Sequence, residues 1–308
     1  MPTATACRVC EARLELLQPG SAGEYEPADF NPSCHGVGAH HDLYRCLGCG
    51  TVQQPSLPRG ARLHDLYRRV SDERYLLEER GRRRTSRRLL DLVGRYVASG
   101  RLLQVGCGYG LLLDEARKRG YDVEGVEVAT RPARYARERL GLPVREMPIE
   151  DADMRDARYD AILLVDVIEH LDDPVLVLDR LLAALAPDGV LLIVTPDPSS
   201  PVARLVSRRW WCYVPAHACL IPRASLRGLL QDRGLAVLED RWSVHSFSLS
   251  YWLAGLSERA GWAGRAITAL AARLPSSVML TASLKDERVF LARAVHSEMP
   301  ARRYASSV

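Results

Sequence analysis

Short apolar runs and amphipathic segments follow one another through the middle of this chain. The clearest case is the run at 102–105, which leads into three alternate glycines and then into an amphipathic segment at 111–119. An apolar run followed by helical periodicity predicts a strand that turns sharply into a helix. Further strands are predicted at 121–126, 144–147, 159–165, 191–197 and 288–294, and a further helix at 222–233.

The glycines of this turn predict a binding site for a nucleotide or a nucleoside. Residues without a Cβ allow unusual backbone dihedrals and a close approach by a ligand, and the amides at the start of the helix face a polar group. A dinucleotide fingerprint would place its third glycine at position 111, where this chain has Leu111. Glu127, at the end of the second predicted strand, is placed to accept both ribose hydroxyls of either ligand.

The fourth predicted strand runs into the sequence D-x-x-E-H-L, formed by Asp166, Glu169, His170 and Leu171. With this signature the chain resembles the class I S-adenosylmethionine-dependent methyltransferases over roughly residues 100–240. The resemblance implies an α/β fold with a doubly wound, seven-stranded sheet of order 3-2-1-4-5-7-6, in which strand 7 is antiparallel. It is also carried by Leu191 to Asp197, Arg209, Trp210, Trp211 and His217.

The resemblance implies S-adenosylmethionine as the cofactor and places Tyr67 and Tyr75 over its pocket. One position departs from the family, because the first strand usually carries an acid where this chain has Gln104. The amide accepts a hydrogen bond from the cofactor's ammonium but contributes no charge. The expected cofactor-binding residues are Gln104, Gly106, Cys107, Gly108, Gly110, Glu127, Val128, Glu150, Asp151 and Asp166.

Two histidines are candidate catalytic residues. A hydroxyl acceptor must lose its proton during methyl transfer, which requires a base with a pKa near the operating pH, and histidine suits that role. His170 follows the fourth strand and is the preferred base, whereas His217 lies in a loop after the fifth strand and is expected to orient the acceptor. A packing role is the alternative for both residues. A divalent metal on Asp166, Glu169 and His170 is a further alternative.

Two C-x-x-C pairs near the start of the sequence predict a structural zinc site. Cys7 and Cys10 form the first pair, and Cys46 and Cys49 form the second. Two such pairs can close one tetrahedral zinc site with no open position, and a disulfide framework is less expected in a cytoplasmic chain. The long segment between the pairs contains other potential ligands, which are Cys34, His35, His40 and His41, although an exposed loop is the preferred interpretation.

These patterns predict four regions. Residues 1–58 are expected to form a zinc-ribbon-like module and residues 59–99 an arginine-rich helical linker or cap. Residues 100–296 are expected to form the methyltransferase domain, with a helical insertion near 243–274, and residues 297–308 a flexible tail. The arginines of the linker are expected on a solvated helical face, with attraction of an anionic substrate as the alternative.

The predicted function is O-methylation of a small molecule or a glycan. An RNA methyltransferase is one alternative, although no platform of aromatic and basic residues is visible, and a non-catalytic scaffold is another. No run reaches the roughly 18 apolar residues of a membrane helix, and the first residues carry no hydrophobic signal segment. A cytoplasmic protein without membrane insertion is therefore expected, and the sequence does not indicate an oligomeric state.

Overall fold

The computed structural model describes residues 6–21, 23–32, 40–72, 74–155, 157–257, 264–271, 273 and 277–294. Cys34, His35 and the tail at 297–308 lie outside the described residues. Within the described part of the chain, every helix is too short or too polar to cross a bilayer.

Strands and helices alternate through most of the described chain. The strands are β1 (Leu14–Gln18), β2 (Leu43–Cys46), β3 (Val52–Gln53), β4 (Gly100–Val105), β5 (Tyr121–Glu127), β6 (Val144–Glu146), β7 (Tyr159–Val165), β8 (Leu185–Pro196), β9 (Cys219–Leu220), β10 (Leu235–Trp242), β11 (His245–Ser248), β12 (Met279–Ala282) and β13 (Glu287–Ala294). The helices are α1 (Ala61–Arg68), α2 (Arg74–Leu77), α3 (Glu79–Val93), α4 (Leu111–Arg117), α5 (Thr130–Leu140), α6 (Pro174–Ala183), α7 (Pro201–Val206), α8 (Arg223–Gln231), α9 (Leu249–Ser257) and α10 (Gly264–Ala271).

The central sheet has seven strands in the order β10-β13-β8-β7-β4-β5-β6. The pairs that join β8, β7, β4, β5 and β6 are parallel, whereas β13 is antiparallel to both of its neighbours. Numbered in chain order within this sheet, the strands follow 3-2-1-4-5-7-6 from the β6 edge. The order and the antiparallel strand that the family resemblance implies are therefore confirmed.

Helices cover both faces of this sheet, which explains why its central strands are almost entirely apolar. Alternate residues of β4 enter two separate hydrophobic clusters, with Leu103 on one face and Leu102 on the other. Residues of α6 and α8 pack with Leu103, whereas residues of α3, α4 and α5 pack with Leu102. Because β8, β7, β4, β5 and β6 are parallel, their carboxyl ends meet at one edge of the sheet.

Part of the arginine-rich face of α3 packs against α4 instead of facing solvent. Arg83 Nη1 lies 2.7 Å from Asp114 Oδ2 and 2.9 Å from Glu115 Oε1, and its side chain is 13% exposed. Arg87 Nε lies 2.6 Å from Glu115 Oε2. These carboxylates are buried, so Arg83 lies on the inner side of α3, while Arg87, whose side chain is 54% exposed, reaches Glu115 from the exposed side.

We expect Arg83→Met to lower the free energy of unfolding by about 1.5–3 kcal/mol, because it removes charged hydrogen bonds to two buried carboxylates that keep Arg87, Arg117 and Lys118 as partners. Arg84→Met is the matched control, since Arg84 is exposed and a surface substitution changes stability by about 0.5 kcal/mol or less. Urea unfolding of both variants measures the difference. Equal midpoints would show that the network contributes nothing.

A second, four-stranded sheet joins the first part of the chain to a segment that follows the fifth strand of the central sheet. Its order is β1-β2-β3-β9, and β9 pairs with β3 through Val52 with Leu220 and Gln53 with Cys219. A further contact comes from Arg8, whose Nη1 donates to Asp172 Oδ1 over 3.0 Å. The four-stranded sheet is therefore attached to the edge of the central sheet that carries the D-x-x-E-H-L sequence.

The segment predicted as a helical insertion near 243–274 contains two helices inside a pair of strands. The strands β11 and β12 pair in antiparallel fashion and enclose α9 and α10. The strands were absent from the sequence prediction because each has only four residues, too few to produce a clear alternation.

Candidate active site

A cavity of ≈ 490 Å³ lies at the carboxyl ends of the parallel strands. Open α/β sheets bind ligands at this edge, in the crevice where the strand order reverses, and the volume is that of an ordinary ligand site. One end of the cavity is formed by the glycine turn after β4. The other end is formed by side chains that follow β7 and β8 and by the segments carrying His170 and His217.

The glycines of the turn have different surroundings. Gly108 has a φ of +54°, and a Cβ built on it would have no heavy atom within 4 Å, because it faces the open cavity. Gly110 also has a positive φ, but a Cβ there would lie 2.7 Å from Leu142 and 3.0 Å from Ala136. Gly108 therefore leaves room for a ligand, whereas Gly110 permits close packing of α4 and does not line the cavity.

Glu127 is held at the end of β5 by backbone amides. Its Oε2 accepts from the amide of Gly108 over 2.6 Å, and its Oε1 accepts from the amide of Ala129 over 2.8 Å. Burial raises the pKa of this carboxyl, although the amide hydrogen bonds oppose the shift. Each oxygen keeps a further lone pair, so the oriented carboxylate can accept from ligand hydroxyls.

Gln104 lines the cavity with an acceptor that has no partner among the described residues. Its side chain is 5% exposed, and its Oε1 is buried without a hydrogen bond. Buried polar atoms in folded proteins are nearly always paired, so this oxygen is placed to accept from a bound cation or hydroxyl. Of the other residues expected around the cofactor, Gly106, Cys107, Val128, Glu150 and Asp166 line the cavity, whereas Asp151 is exposed and does not.

Arg82 is a cavity residue that the sequence did not single out. Its guanidinium lies 3.7 Å from the centroid of the Tyr75 ring, and Tyr75 stacks on Tyr109 of the glycine turn. Nothing in the run of three arginines at 82–84 distinguishes the one that faces the cavity. The rotation of α3 about its axis, relative to the sheet, determines which of these arginines faces the cavity.

His170 and His217 lie side by side at the far end, with ring centroids 4.8 Å apart. His170 Nδ1 is 3.0 Å from the carbonyl oxygen of Ala216 and 2.8 Å from the hydroxyl of Tyr67, and His217 Nδ1 is 2.7 Å from the carbonyl oxygen of Cys212. A carbonyl only accepts, which assigns the hydrogen of His217 to Nδ1. At His170 the Tyr67 hydroxyl also lies beside Nδ1 and donates to the carbonyl oxygen of Ala216 over 3.2 Å, and we assign the hydrogen of His170 to Nδ1 as well, which leaves each Nε2 with its lone pair. Burial lowers the pKa of His170 to about 4, and burial with the neighbouring His170 lowers that of His217 to about 3.

Several carboxyl groups surround these imidazoles. Glu169 is 1% exposed, its Oε2 accepts from the Thr195 hydroxyl over 3.0 Å, and its Oε1 has no partner among the described residues. Burial raises its pKa well above the usual value. The side chain of Asp166 opens into the cavity, where the enclosing protein and the carboxylate of Glu287 raise its pKa to about 7. Because the raised pKa values favour protonated carboxyl groups, this end offers both hydrogen-bond donors and acceptors to a ligand.

The sequence also missed His245 and Glu287, which lie far apart in the chain and meet at the cavity. His245 Nε2 lies 2.7 Å from Glu287 Oε2. Although burial opposes the charged form, the carboxylate of Glu287 raises the pKa of His245 to about 9.

The ligand atoms of Glu169, His170 and His217 lie within 4.8 Å of one another, and Asp166 is outside this group. The trio, not the set with Asp166, is the one with the spacing of metal ligands.

The four cysteines of the two C-x-x-C pairs form a second cluster, and none of them lines the cavity. The Sγ atoms of Cys7 and Cys49 are 3.6 Å apart, those of Cys10 and Cys46 are 3.4 Å apart, and all four lie within 4.8 Å of one another. Zinc–sulfur bonds of about 2.3 Å place tetrahedral sulfurs about 3.8 Å apart, so the donor set and its spacing fit zinc. His40 and His41 are described and are not members of this cluster.

Comparison with known proteins identifies the family. The family model described as a methyltransferase domain matches residues 77–240, more than half of the chain. The chain is 31% identical to a ubiquinone biosynthesis O-methyltransferase of Cereibacter sphaeroides over 171 residues, which are 52% of this chain and 68% of that protein. It is 36% identical to a protein of the same name from Nitrobacter winogradskyi over 104 residues, but these are only 32% of this chain and 40% of that protein.

Among solved structures, the chain is similar to a magnesium protoporphyrin IX methyltransferase of Synechocystis with bound S-adenosylhomocysteine. The identity is 12%, the TM-score is 0.48, and the match covers 73% of this chain and 89% of the other. The strand order, the cavity at the glycine turn and the family match agree with one another. The chain belongs to the methyltransferase-domain family and is an S-adenosylmethionine-dependent methyltransferase.

Proposed function

We propose that this enzyme methylates a hydroxyl group of a small aromatic molecule and that His170 is the general base. The observation that carries the proposal is the pair of imidazoles at the cavity, whose Nδ1 atoms are bound by backbone carbonyls. This arrangement leaves two unprotonated Nε2 atoms available to acceptor hydroxyls. One imidazole can take the proton while the other orients the acceptor.

The residues at the glycine end fit S-adenosylmethionine. When bound, this cofactor supplies an activated methyl group on a sulfonium, so the protein has only to align the reactants and exclude water. Gln104 Oε1 would accept from the cofactor's ammonium, Glu127 would accept from the ribose hydroxyls, and the Arg82 guanidinium would bind the carboxylate. The open space at Gly108 would admit the body of the cofactor.

The lowered pKa of His170 departs from the expected value near the operating pH, and the acceptor we propose is one acidic enough to compensate. Burial makes His170 a weaker base than a free imidazole, so an acidic hydroxyl is easier to deprotonate. A phenol, with a pKa of about 10, suits it better than the hydroxyl of a sugar. The names of the curated relatives, which are O-methyltransferases, also support O-methylation. Two adjacent phenolic hydroxyls could contact both imidazoles, and a glycan diol is the competing acceptor.

A direct test compares two small probes. Purified enzyme with S-adenosylmethionine is supplied with 3,4-dihydroxybenzoate or with methyl glucoside, and S-adenosylhomocysteine and methylated product are measured by mass spectrometry. We expect methyl ether formation on the catechol only. Methylation of the glucoside alone would replace the phenol with a glycan, and methylation of neither probe with a salt-sensitive gel shift on RNA would favour the nucleic-acid alternative. Chelator treatment that abolished turnover while the zinc on the four cysteines was retained would assign a metal to the trio of Glu169, His170 and His217.

We further propose that residues 1–58 form a module with one structural zinc on Cys7, Cys10, Cys46 and Cys49. The supporting observations are the sulfur spacing and the amides of Val9 and Gly48, which point at the sulfurs of Cys7 and Cys46. Four thiolates leave no open position, so the metal would stabilise the fold and take no part in methyl transfer.

Cys46→Ser is expected to reduce the zinc content from one ion per chain to none, because three thiolates no longer close the site. Metal binding contributes much of the folding free energy of so small a module, so limited proteolysis should then cleave residues 1–58. S-adenosylhomocysteine binding should remain. The control is Cys212→Ser, which changes a buried cysteine outside the cluster and should retain zinc. Metal analysis that finds no zinc in the unaltered protein, purified without chelator, would contradict the site.

A further inference from the structure

Gln54 connects the four-stranded sheet to the loop that carries His217. Its side chain is 1% exposed, and its Nε2 donates to the carbonyl oxygens of Val214 and His217, each over 2.8 Å. The same nitrogen is 3.4 Å from the carbonyl oxygen of Pro215. The amide oxygen of Gln54 accepts from the backbone amide of His41 over 2.9 Å, which fixes the direction in which the side chain points.

The loop that Gln54 holds, residues 212–217, supplies the acceptors for both catalytic imidazoles. His217 Nδ1 donates to the carbonyl oxygen of Cys212, at the start of the loop, and His170 Nδ1 donates to the carbonyl oxygen of Ala216, near its end. The backbone of this loop, together with the Tyr67 hydroxyl that donates to the same Ala216 carbonyl, therefore determines which nitrogen of each ring keeps its lone pair. A shift of the loop would change both rings together.

Gln54 is in turn tied to the cysteine cluster. It directly follows β3, which pairs with β2, and β2 ends at Cys46. The turn between these strands is closed by a hydrogen bond from the Cys46 amide to the Thr51 carbonyl over 2.9 Å. The Thr51 hydroxyl lies 3.0 Å from the sulfur of Cys49. A short, buried route thus runs from the metal ligands to the loop.

We propose that Gln54 is a positioning residue, through which the module of residues 1–58 holds loop 212–217 and so orients His170 and His217. This inference rests on the proposed roles of the two histidines. The cofactor end of the cavity is formed by the glycine turn, Gln104 and Glu127. Within the described part of the chain, Gln54 makes no hydrogen bond to any of them. The module therefore acts on the acceptor step and leaves cofactor binding unchanged.

The test replaces Gln54 with methionine, which keeps the volume of the side chain and removes its hydrogen bonds. The matched control is Gln53→Met, because Gln53 is equally buried, at 1% exposure, and its side chain bonds the backbone amide of Arg8, interacts with the Cys7 sulfur and bonds no atom of the loop. A misplacement of about 1 Å can cost about 10²-fold in rate. We expect kcat for 3,4-dihydroxybenzoate to fall by about 10–100-fold in Gln54→Met and by much less in Gln53→Met.

Two readouts separate this inference from the proposed function. Hydrogen exchange of the 212–217 amides, followed by mass spectrometry, should accelerate in Gln54→Met alone, while the Kd of S-adenosylhomocysteine and the zinc content match the unaltered protein. If the unaltered enzyme does not methylate the catechol, the proposed acceptor is wrong, and exchange in the loop still decides the role of Gln54. Unchanged exchange in the loop, or equal kcat in the two variants, would overturn the inference.

Discussion

Replacing His170 with alanine is expected to lower turnover of 3,4-dihydroxybenzoate by about 10²–10⁴-fold, the usual effect of removing a positioned general base. The Nε2 of His170 carries the lone pair that would accept the hydroxyl proton, because its Nδ1 donates to the carbonyl oxygen of Ala216. The proposed cofactor contacts lie at the other end of the cavity, so the Kd of S-adenosylhomocysteine should not change. Initial rates by mass spectrometry and titration calorimetry measure the two quantities.

The comparison variant is His217→Ala, which removes the neighbouring imidazole and tests its orienting role. We expect a smaller fall in kcat and a larger rise in KM for the acceptor, since the base remains in place. A loss of tenfold or less in both single variants would mean that proximity alone carries the reaction. The hydroxyl would then be ionised without help from either histidine, and the assignment of a base would be withdrawn.

Replacing Gly108 with valine is expected to abolish binding of both S-adenosylmethionine and S-adenosylhomocysteine. A side chain at Gly108 would extend into the cavity, where a Cβ meets no protein atom within 4 Å. The unaltered enzyme should bind these two ligands and show no binding of NAD, since Leu111 replaces the third glycine of the dinucleotide fingerprint. Titration calorimetry measures all three ligands.

Valine at a positive φ also strains the backbone, typically by about 1–3 kcal/mol, so the effect on binding needs a control. Gly120→Val provides it, because Gly120 has a φ of +90°, has no heavy atom within 4 Å of a built Cβ and does not line the cavity. Both variants should lose similar thermal stability, and only Gly108→Val should lose the ligand. Unaltered titration curves for Gly108→Val would remove this turn from the cofactor site.

The edge that carries the site could be predicted from local patterns, whereas the order of the sheet was implied by the family resemblance. The apolar run that leads into Gly106, Gly108 and Gly110 predicts a strand, a tight turn and a helix, because each of these has a short-range sequence signature. The D-x-x-E-H-L segment suggested a resemblance to the methyltransferases, the comparisons show the family, and the resemblance implied the strand order. The two C-x-x-C pairs likewise predicted a cluster of four thiols, because the spacing within each pair is itself the signature of such a site.

Pairings between remote segments were decided by the tertiary structure alone. Two residues of β9 complete a sheet that begins near Cys7, Gln54 reaches the loop of His217, and His245 meets Glu287 across the cavity. No periodic pattern in the sequence indicates these contacts, because each depends on how separately formed elements pack against one another. The same holds for neighbouring arginines of α3: Arg82 lines the cavity, Arg83 pairs with buried acids and Arg84 is exposed. Their order in the sequence is fixed, but the rotation of the helix against the sheet assigns each its environment.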